Sequence, residues 1–128
     1  MAEKGYYDEV ELLVLHGANV NARDTDGMTP LHIAGEIGYF EIVKLLALHG
    51  ADDVNVKGKF GKTPLHWAVE EGDLEFIKLL VSKGAYVNAK DWVGATPLYL
   101  AKTKGNMAMI EFLKSVGAKS RKPDYLRK

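Results

Sequence analysis

With 128 residues, 47% of them hydrophobic, the chain is long enough to form one domain with a buried core but too short for two independent ones. Its 17 basic side chains balance 17 acidic ones, so no net charge draws it toward nucleic acid or an anionic membrane. The absence of cysteine excludes disulfides, thiolate zinc sites and a cysteine nucleophile.

The start of the chain lacks the pattern of a secretory signal. Glu3, Lys4, Asp8 and Glu9 stand where a signal peptide would need an apolar run. No later stretch approaches the roughly 20 apolar residues of a membrane span. On these grounds we expect an intracellular protein of the cytoplasm, with no membrane contact.

Three short phrases recur in step along the chain. Residues 27–32, 61–66 and 94–99 read GMTPLH, GKTPLH and GATPLY, and their glycines are 34 and 33 positions apart. A second phrase recurs at 38–46 and 72–80, and a third at 17–21, 50–55 and 84–88. Repetition at this period indicates units that stack on one another to bury a shared core.

Each unit predicts two short helices and a loop. In one of them Thr63 is suited to cap a helix, Pro64 to its first position and Gly72 to its end. A second helix follows over 74–80 with apolar residues at three-and-four spacing, and residues 85–93 then form a projecting loop. We expect Trp67 to belong to the core and Leu79 to be central to packing between units.

The three phrases resemble those of the ankyrin repeat family. The likeness is carried by DTDGMTPLH at 24–32, by EIVKLL at 41–46, and by the GA-x-VNA pattern at 17–22 and 84–89. It extends from about residue 5 to residue 118. The resemblance implies an all-α solenoid of stacked helix-turn-helix units with projecting hairpin-like loops.

The register of the phrases divides this single ankyrin-repeat domain. We predict an incomplete first repeat at 5–23, which holds only a second helix, then repeats at 24–57, 58–90 and 91–118, and a basic tail at 119–128. Gly58 stands where the other units have Asp24 and Asp91, and one residue is inserted within 51–54. We therefore expect one projecting loop to be distorted relative to its neighbours.

No group of residues predicts catalysis, a metal or a cofactor. The sequence at 58–63 ends like a phosphate-binding loop, but Val56 occupies the position of its first glycine. Asp24 and Asp26 resemble a calcium loop that lacks its closing glutamate. His16 and His49 fall at equivalent positions of stacked helices, as do His32 and His66. The members of each pair are then about 8–10 Å apart, which is too far to share one metal ion. We predict a non-enzymatic protein, in which His32 and His66 hydrogen-bond across neighbouring turns.

The resemblance implies that a partner protein binds the concave side, which the loops and the first helices form. Phe60 and Trp92 are the predicted anchors, because they are large aromatics in exposed loops; the alternative is that each packs along the adjacent loop. The candidate contact residues in the loops are Arg23, Thr25, Asp26, Met28, Lys57, Lys59, Phe60, Lys62, Lys90, Trp92, Val93 and Ala95, and those in the first helices are Glu36, Ile37, Glu70, Glu71, Thr103 and Lys104.

Two other functions stay open at the sequence level. An incomplete first repeat would leave apolar surface uncovered, which favours self-association through the N-terminal end. In the tail, the basic residues outnumber Asp124: Lys119, Arg121, Lys122, Arg127 and Lys128. The tail predicts either a solvated, partly frayed terminus or a contact with an acidic partner or nucleic acid. The lack of interleaved aromatics beyond Tyr125 disfavours nucleic acid.

Overall fold

The structure is a computed structural model, and it describes residues 20, 21, 25, 29–37, 40–50 and 53–126. Within these ranges lie six α-helices and two short 3₁₀ turns, and no strand. The helices are α1 (Pro30–Ile37), α2 (Phe40–Leu48), α3 (Pro64–Glu71), α4 (Leu74–Ser82), α5 (Pro97–Lys104) and α6 (Met107–Ser115), and the turns are η1 (Lys59–Gly61) and η2 (Asp124–Leu126). The predicted all-α architecture is confirmed.

The helix signals read from the third unit are confirmed at both ends of α3. The Thr63 hydroxyl accepts a hydrogen bond from the amide of His66 at 3.4 Å, and Pro64 occupies the first helical position. Gly72 ends the helix with φ 76, in the left-handed region that glycine adopts at little cost. Thr96 caps α5 in the same way, by accepting from the amide of Tyr99.

The second helices α4 and α6 begin on a different kind of cap. The Asp73 carboxylate accepts a hydrogen bond from the amide of Phe76 at 3.1 Å, and the Asn106 side chain accepts one from Met109 at 3.2 Å. These caps satisfy amides that no helical carbonyl reaches. Each described helix has only eight or nine residues, so its stability depends on packing against its neighbours.

The core runs continuously across the last three helix pairs. Leu65 and Ile77 of one pair, together with Leu98 and Leu113 of the next, are fully or almost fully buried in one cluster, which Ala47 of the preceding pair joins. A second cluster centres on the first described pair, and its members include Leu31, Ile42, Leu46 and Val56. Burial across unit boundaries is what stabilises a stack whose separate units cannot form a core.

The expected central role of Leu79 is wrong. Leu79 is only half-buried and packs against the edge of the core, whereas Leu80 is completely buried. Both leucines fall within the apolar stripe of α4, but only Leu80 lies inside the buried cluster that the successive helix pairs share. Leu80 is therefore the more deeply buried of the two core positions.

A ladder of asparagines joins successive units along one edge of the stack. Asn21, Asn55 and Asn88 each donate a side-chain hydrogen bond to a glycine carbonyl 29 residues further along, at 3.1–3.3 Å. Those glycines, Gly50, Gly84 and Gly117, follow the second helices and have positive φ. The repeated Asn and Gly of the third phrase thus serve as donor and acceptor of the same bond between units.

The expectation of a frayed tail is wrong for residues 119–126. The Thr96 hydroxyl donates to the carbonyl of Lys119 at 2.8 Å, and the Arg121 guanidinium donates to the carbonyl of Gly94 at 2.6 Å. Pro123 is buried. The segment therefore packs against the loop of the last unit instead of extending into solvent.

Two earlier predictions lie outside the described residues. The incomplete first repeat at 5–23 is described only at residues 20 and 21, so neither its form nor self-association through it is tested.

None of the six described helices is long enough to cross a membrane.

Candidate partner-binding surface

The loops at 58–62 and 91–95 share one backbone pattern. The amide of Gly58 donates to the carbonyl of Lys62 at 2.9 Å, and the amide of Asp91 donates to Ala95 at 3.0 Å. Each loop is closed by a second hydrogen bond, which a glycine amide donates to the carbonyl of the residue three positions earlier. Phe60 and Val93 therefore occupy equivalent positions at the tips of successive loops.

The loop at 58–62 differs from its neighbour in two details. Asp91 accepts hydrogen bonds from the amides of Val93 and Ala95, at 3.1 and 2.9 Å, and Gly58 has no side chain to do so. A Cβ at Gly58 would lie 2.3 Å from the backbone of Gly35, so the close approach of α1 requires glycine. Phe60 in turn adopts φ 62, a left-handed conformation that is costly for a side chain of this kind. The expected distortion is thus located at Phe60.

Phe60 and Trp92 contact each other across the two loops and remain exposed. Their ring centroids are 6.4 Å apart at an interplanar angle of 89°, and the amide of Trp92 donates to the carbonyl of Phe60 at 3.0 Å. Their exposed fractions are 53% and 73%. Trp92 also covers Gly61, where an added Cβ would lie 2.1 Å from the indole Cδ1. The two rings pack across adjacent loops and are nevertheless exposed to solvent, so the packing does not bury either of them.

Lys62 lies between two aromatic rings instead of on the rim. Its ammonium is 5.9 Å from the ring centre of Phe60 and 5.2 Å from that of Trp67, and it forms an ion pair with Glu70. Only 18% of its side chain is exposed. Trp67 itself is half-buried, so its assignment to the core is wrong in part: one side of the indole faces Lys62.

Three other lysines of these loops carry charge that no carboxylate neutralises within the described ranges. Lys57, Lys59 and Lys90 are exposed, and none has an acidic side chain within ion-pair distance there. The Lys57 ammonium donates to the backbone carbonyl of Lys90 at 2.7 Å, and Lys59 lies 5.4 Å from the ring centre of Phe60. Cationic and aromatic groups therefore alternate along the loop tips.

His66 joins the first helix of one unit to the loop of the next. The amide of Thr63 donates to its Nδ1 at 3.1 Å, which makes that nitrogen an acceptor and leaves Nε2 to donate to the carbonyl of Ala95 at 3.1 Å. The predicted bond to a neighbouring turn is confirmed. Burial lowers the pKa of His66 more than the carbonyl of Ala95 and the Asp91 carboxylate raise it.

The remaining candidate contact residues divide by exposure. Thr25, Glu71, Val93, Thr103 and Lys104 are exposed, and Glu70 is half-buried beside Lys62. Ala95 is buried, so its expected outward orientation is wrong; its carbonyl is occupied by His66. Arg23, Asp26 and Met28, and the side chains of Glu36 and Ile37, lie outside what the structure describes.

The candidate contact residues read from the sequence did not include Tyr125, the exposed aromatic of the tail. Tyr125 lies in η2 and is 73% exposed. The residue before it, Asp124, donates its amide to the carbonyl of Val93 at 2.5 Å. Tyr125 stands 33 residues after Trp92, and Asp124 stands 33 residues after Asp91. That spacing was the available signal, but without a following Thr-Pro-Leu phrase it was not recognised as a loop.

An open groove of about 420 Å³ lies between α2 and α4, and the ion pair of Lys44 with Asp73 lines it beside Leu48 and Leu79. The groove is open to solvent and does not form an enclosed cavity. Within the described ranges no group of three His, Cys, Asp or Glu side chains could hold a metal ion.

Paired helices stacked in one direction, with capped loops projecting beside their first helices, define a helical repeat solenoid. The sequence model of a family described as ankyrin repeats, in three copies, matches residues 1–91. Because this match covers more than half of the chain, the protein belongs to the ankyrin repeat family. The pair α5 and α6 lies beyond the matched range but repeats the same caps and core positions. No curated protein gave a significant match.

Proposed function

We propose that this protein binds a partner protein on the concave face formed by its loops and first helices, with Phe60 and Trp92 as anchors. Ankyrin repeats are in general protein–protein interaction modules and are typically non-enzymatic. The observation that carries the proposal is the pair of exposed aromatics at neighbouring loop tips, held in place by a backbone hydrogen bond and edge-to-face contact. A preorganised aromatic pair loses little entropy on binding.

The rest of the proposed face supports this role. Trp67 and Lys62 extend it toward α3, where Glu70 fixes the lysine in place. Glu71, Thr103 and Lys104 are exposed at the ends of α3 and α5 and provide polar groups for a rim. Large aromatics surrounded by charged groups are the usual composition of an interface centre and its edge.

Affinity capture from cell lysate tests the proposal. The wild-type protein is compared with Phe60→Ala/Trp92→Ala and with the matched control Tyr86→Ala/Met107→Ala, which removes two exposed apolar side chains that are not among the candidate contact residues. The loop variant should lose specific proteins that the control retains. Equal capture by both variants would contradict the proposed face, and capture of this chain alone, with a dimer in sedimentation, would indicate self-association instead.

A further inference from the structure

Exposed aromatics and unpaired lysines follow one another along three successive loop tips. We define the loop-tip strip as Phe60, Trp92, Tyr125, Lys57, Lys59 and Lys90. Each of the three aromatics comes from a different loop, and each is more than half exposed. The strip is therefore longer than the pair that anchors the proposed function.

The tail provides the third loop of the strip. The amide of Asp124 donates to the carbonyl of Val93, and the amide of Trp92 donates to the carbonyl of Phe60, which is the equivalent of Val93 one unit earlier. The donor in the tail is one position before Tyr125, the residue that corresponds to Trp92 in the spacing of 33. The amide of Lys119 donates to Asn88, just as the amide of Tyr86 donates to Asn55. Residues 119–126 thus reproduce the bonds between units and present Tyr125 beyond Trp92.

The charge of the strip is positive. Lys57, Lys59 and Lys90 have no acidic partner among the described residues, and exposed Lys122 likewise has none there. Of the carboxylates beside the strip, Glu70 is paired with Lys62 and Asp124 with Arg121, and the buried Asp91 accepts from the amides of Val93 and Ala95. The exposed carboxylate of Glu71 is at the far end of α3, about 10 Å from its first residue at the rise of an α-helix.

We propose that the loop-tip strip binds an acidic peptide segment in which apolar side chains alternate with carboxylates; this rests on the proposed function and names the chemistry of its partner. The carboxylates neutralise Lys57, Lys59 and Lys90, and the apolar side chains cover the three aromatics. An acidic segment that crosses three loops contacts both the lysines and the aromatic rings of the strip, whereas a neutral apolar segment would leave the lysines without counter-charges.

A single-stranded nucleic acid would also use cations and aromatics, through bases stacked on ring faces. The geometry favours the peptide. Phe60 and Trp92 meet edge to face at 89°, so they do not present parallel faces to successive bases.

Selection from a displayed library of random dodecapeptides tests the proposal. The selected peptides should be enriched in Asp and Glu together with aromatic or aliphatic residues. Their affinity for the full chain should fall about tenfold in Lys59→Glu/Lys90→Glu, the scale of lost electrostatic attraction. The affinity of the peptides should stay unchanged in the matched charge reversal Lys83→Glu/Lys114→Glu, which alters two exposed lysines near the ends of α4 and α6. Tyr125→Ala should weaken the same peptides, and Tyr86→Ala should not.

Three results would overturn the proposal: no acidic enrichment, equal affinity for versions with Asn and Gln in place of the acids, or tighter binding of a single-stranded DNA oligonucleotide. Circular dichroism checks that each variant is folded, and Lys59→Gln/Lys90→Gln replaces the reversal if that variant unfolds. If the acidic peptides fail while capture from lysate still depends on Phe60 and Trp92, the proposed function stands and the partner chemistry does not.

Discussion

The imidazole Nε2 of His66 lies 3.1 Å from the carbonyl oxygen of Ala95, so a completely buried histidine bonds the first helix of one repeat to the loop of the next. The same ring accepts a bond from the amide of Thr63 through Nδ1. The bond from the amide of Thr63 requires the neutral ring, because a proton on Nδ1 would place a donor against a donor, whereas Nε2 can donate to Ala95 in either state. The hold of the first helix on this ring therefore depends on pH.

We expect the protein to become less stable as the pH falls below about 6.5. Burial lowers the pKa of His66 in the folded state, so the unfolded chain takes up this proton at a higher pH than the folded chain does. The contribution of the neutral ring is complete above the unfolded pKa and is lost as the pH falls toward the folded one. Urea denaturation across this range measures it.

The variant His66→Gln isolates this contribution from those of the other histidines. Glutamine also offers a donor and an acceptor, but it does not titrate. The difference in free energy of unfolding between wild type and variant should shrink as the pH falls from 7.5 to 5. A difference that stays constant over that interval would show that His66 is not the group responsible.

The second prediction compares core and cap within one repeat. Leu80→Ala removes a completely buried side chain from the cluster between α3 and α4 and should cost about 2–5 kcal/mol of unfolding free energy. Leu79→Ala should cost less, because Leu79 is half-buried. Thr63→Ala should cost about 1 kcal/mol, the usual value of a helix cap. Denaturation of the three variants gives the order, and equal costs for the two leucines would contradict the assignment.

The local signals in the sequence were sufficient for the helices and insufficient for the surface. Thr63, Pro64 and Gly72 fix the ends of α3 by chemistry that acts within a few residues, so they could be read directly. Leu79 and Leu80 share the same apolar character, and only the direction in which α4 packs distinguishes them. Trp67 is half-buried because Lys62 reaches its ring from a loop five residues earlier, which depends on packing that no periodicity reports.

The third prediction concerns two glycines with nearly the same backbone. Gly61 and Gly72 have φ 71 and 76, so alanine at either should cost about 1–2 kcal/mol from the left-handed conformation. A Cβ at Gly72 would meet nothing within 4 Å, whereas one at Gly61 would meet the Trp92 indole. Only Gly61→Ala should shift the indole N–H resonance of Trp92, identified in a Trp67→Phe background. The same shift from Gly72→Ala would contradict the contact.

The fourth prediction tests whether the tail stabilises the last repeat. Removal of residues after Ala118 deletes the carbonyl of Arg121 that accepts from the amide of Thr96 at 3.3 Å, and it deletes the cover over Gly94. Amide hydrogen exchange over 94–100 should accelerate, while exchange over 64–82 should change little. Asp124→Ala alone should have a small effect, because its ion pair with Arg121 is largely exposed. Unchanged exchange at Thr96 after truncation would show that the tail carries no structural role.

The last prediction separates the two roles of Trp92. Because its ring covers Gly61 and contacts Phe60, Trp92→Ala should lower the free energy of unfolding by about 1 kcal/mol, the scale of an aromatic pair. Because 73% of the residue is exposed, the variant should also weaken a bound partner by about 2 kcal/mol or more, as the loss of an interface anchor does. Thermal melts and titration calorimetry of the same preparation measure both quantities. The control Tyr86→Ala removes a comparably exposed ring outside the proposed face and should leave partner affinity unchanged. A lower melting temperature with full affinity in Trp92→Ala would make Trp92 a structural residue, and the proposed face would lose its best anchor.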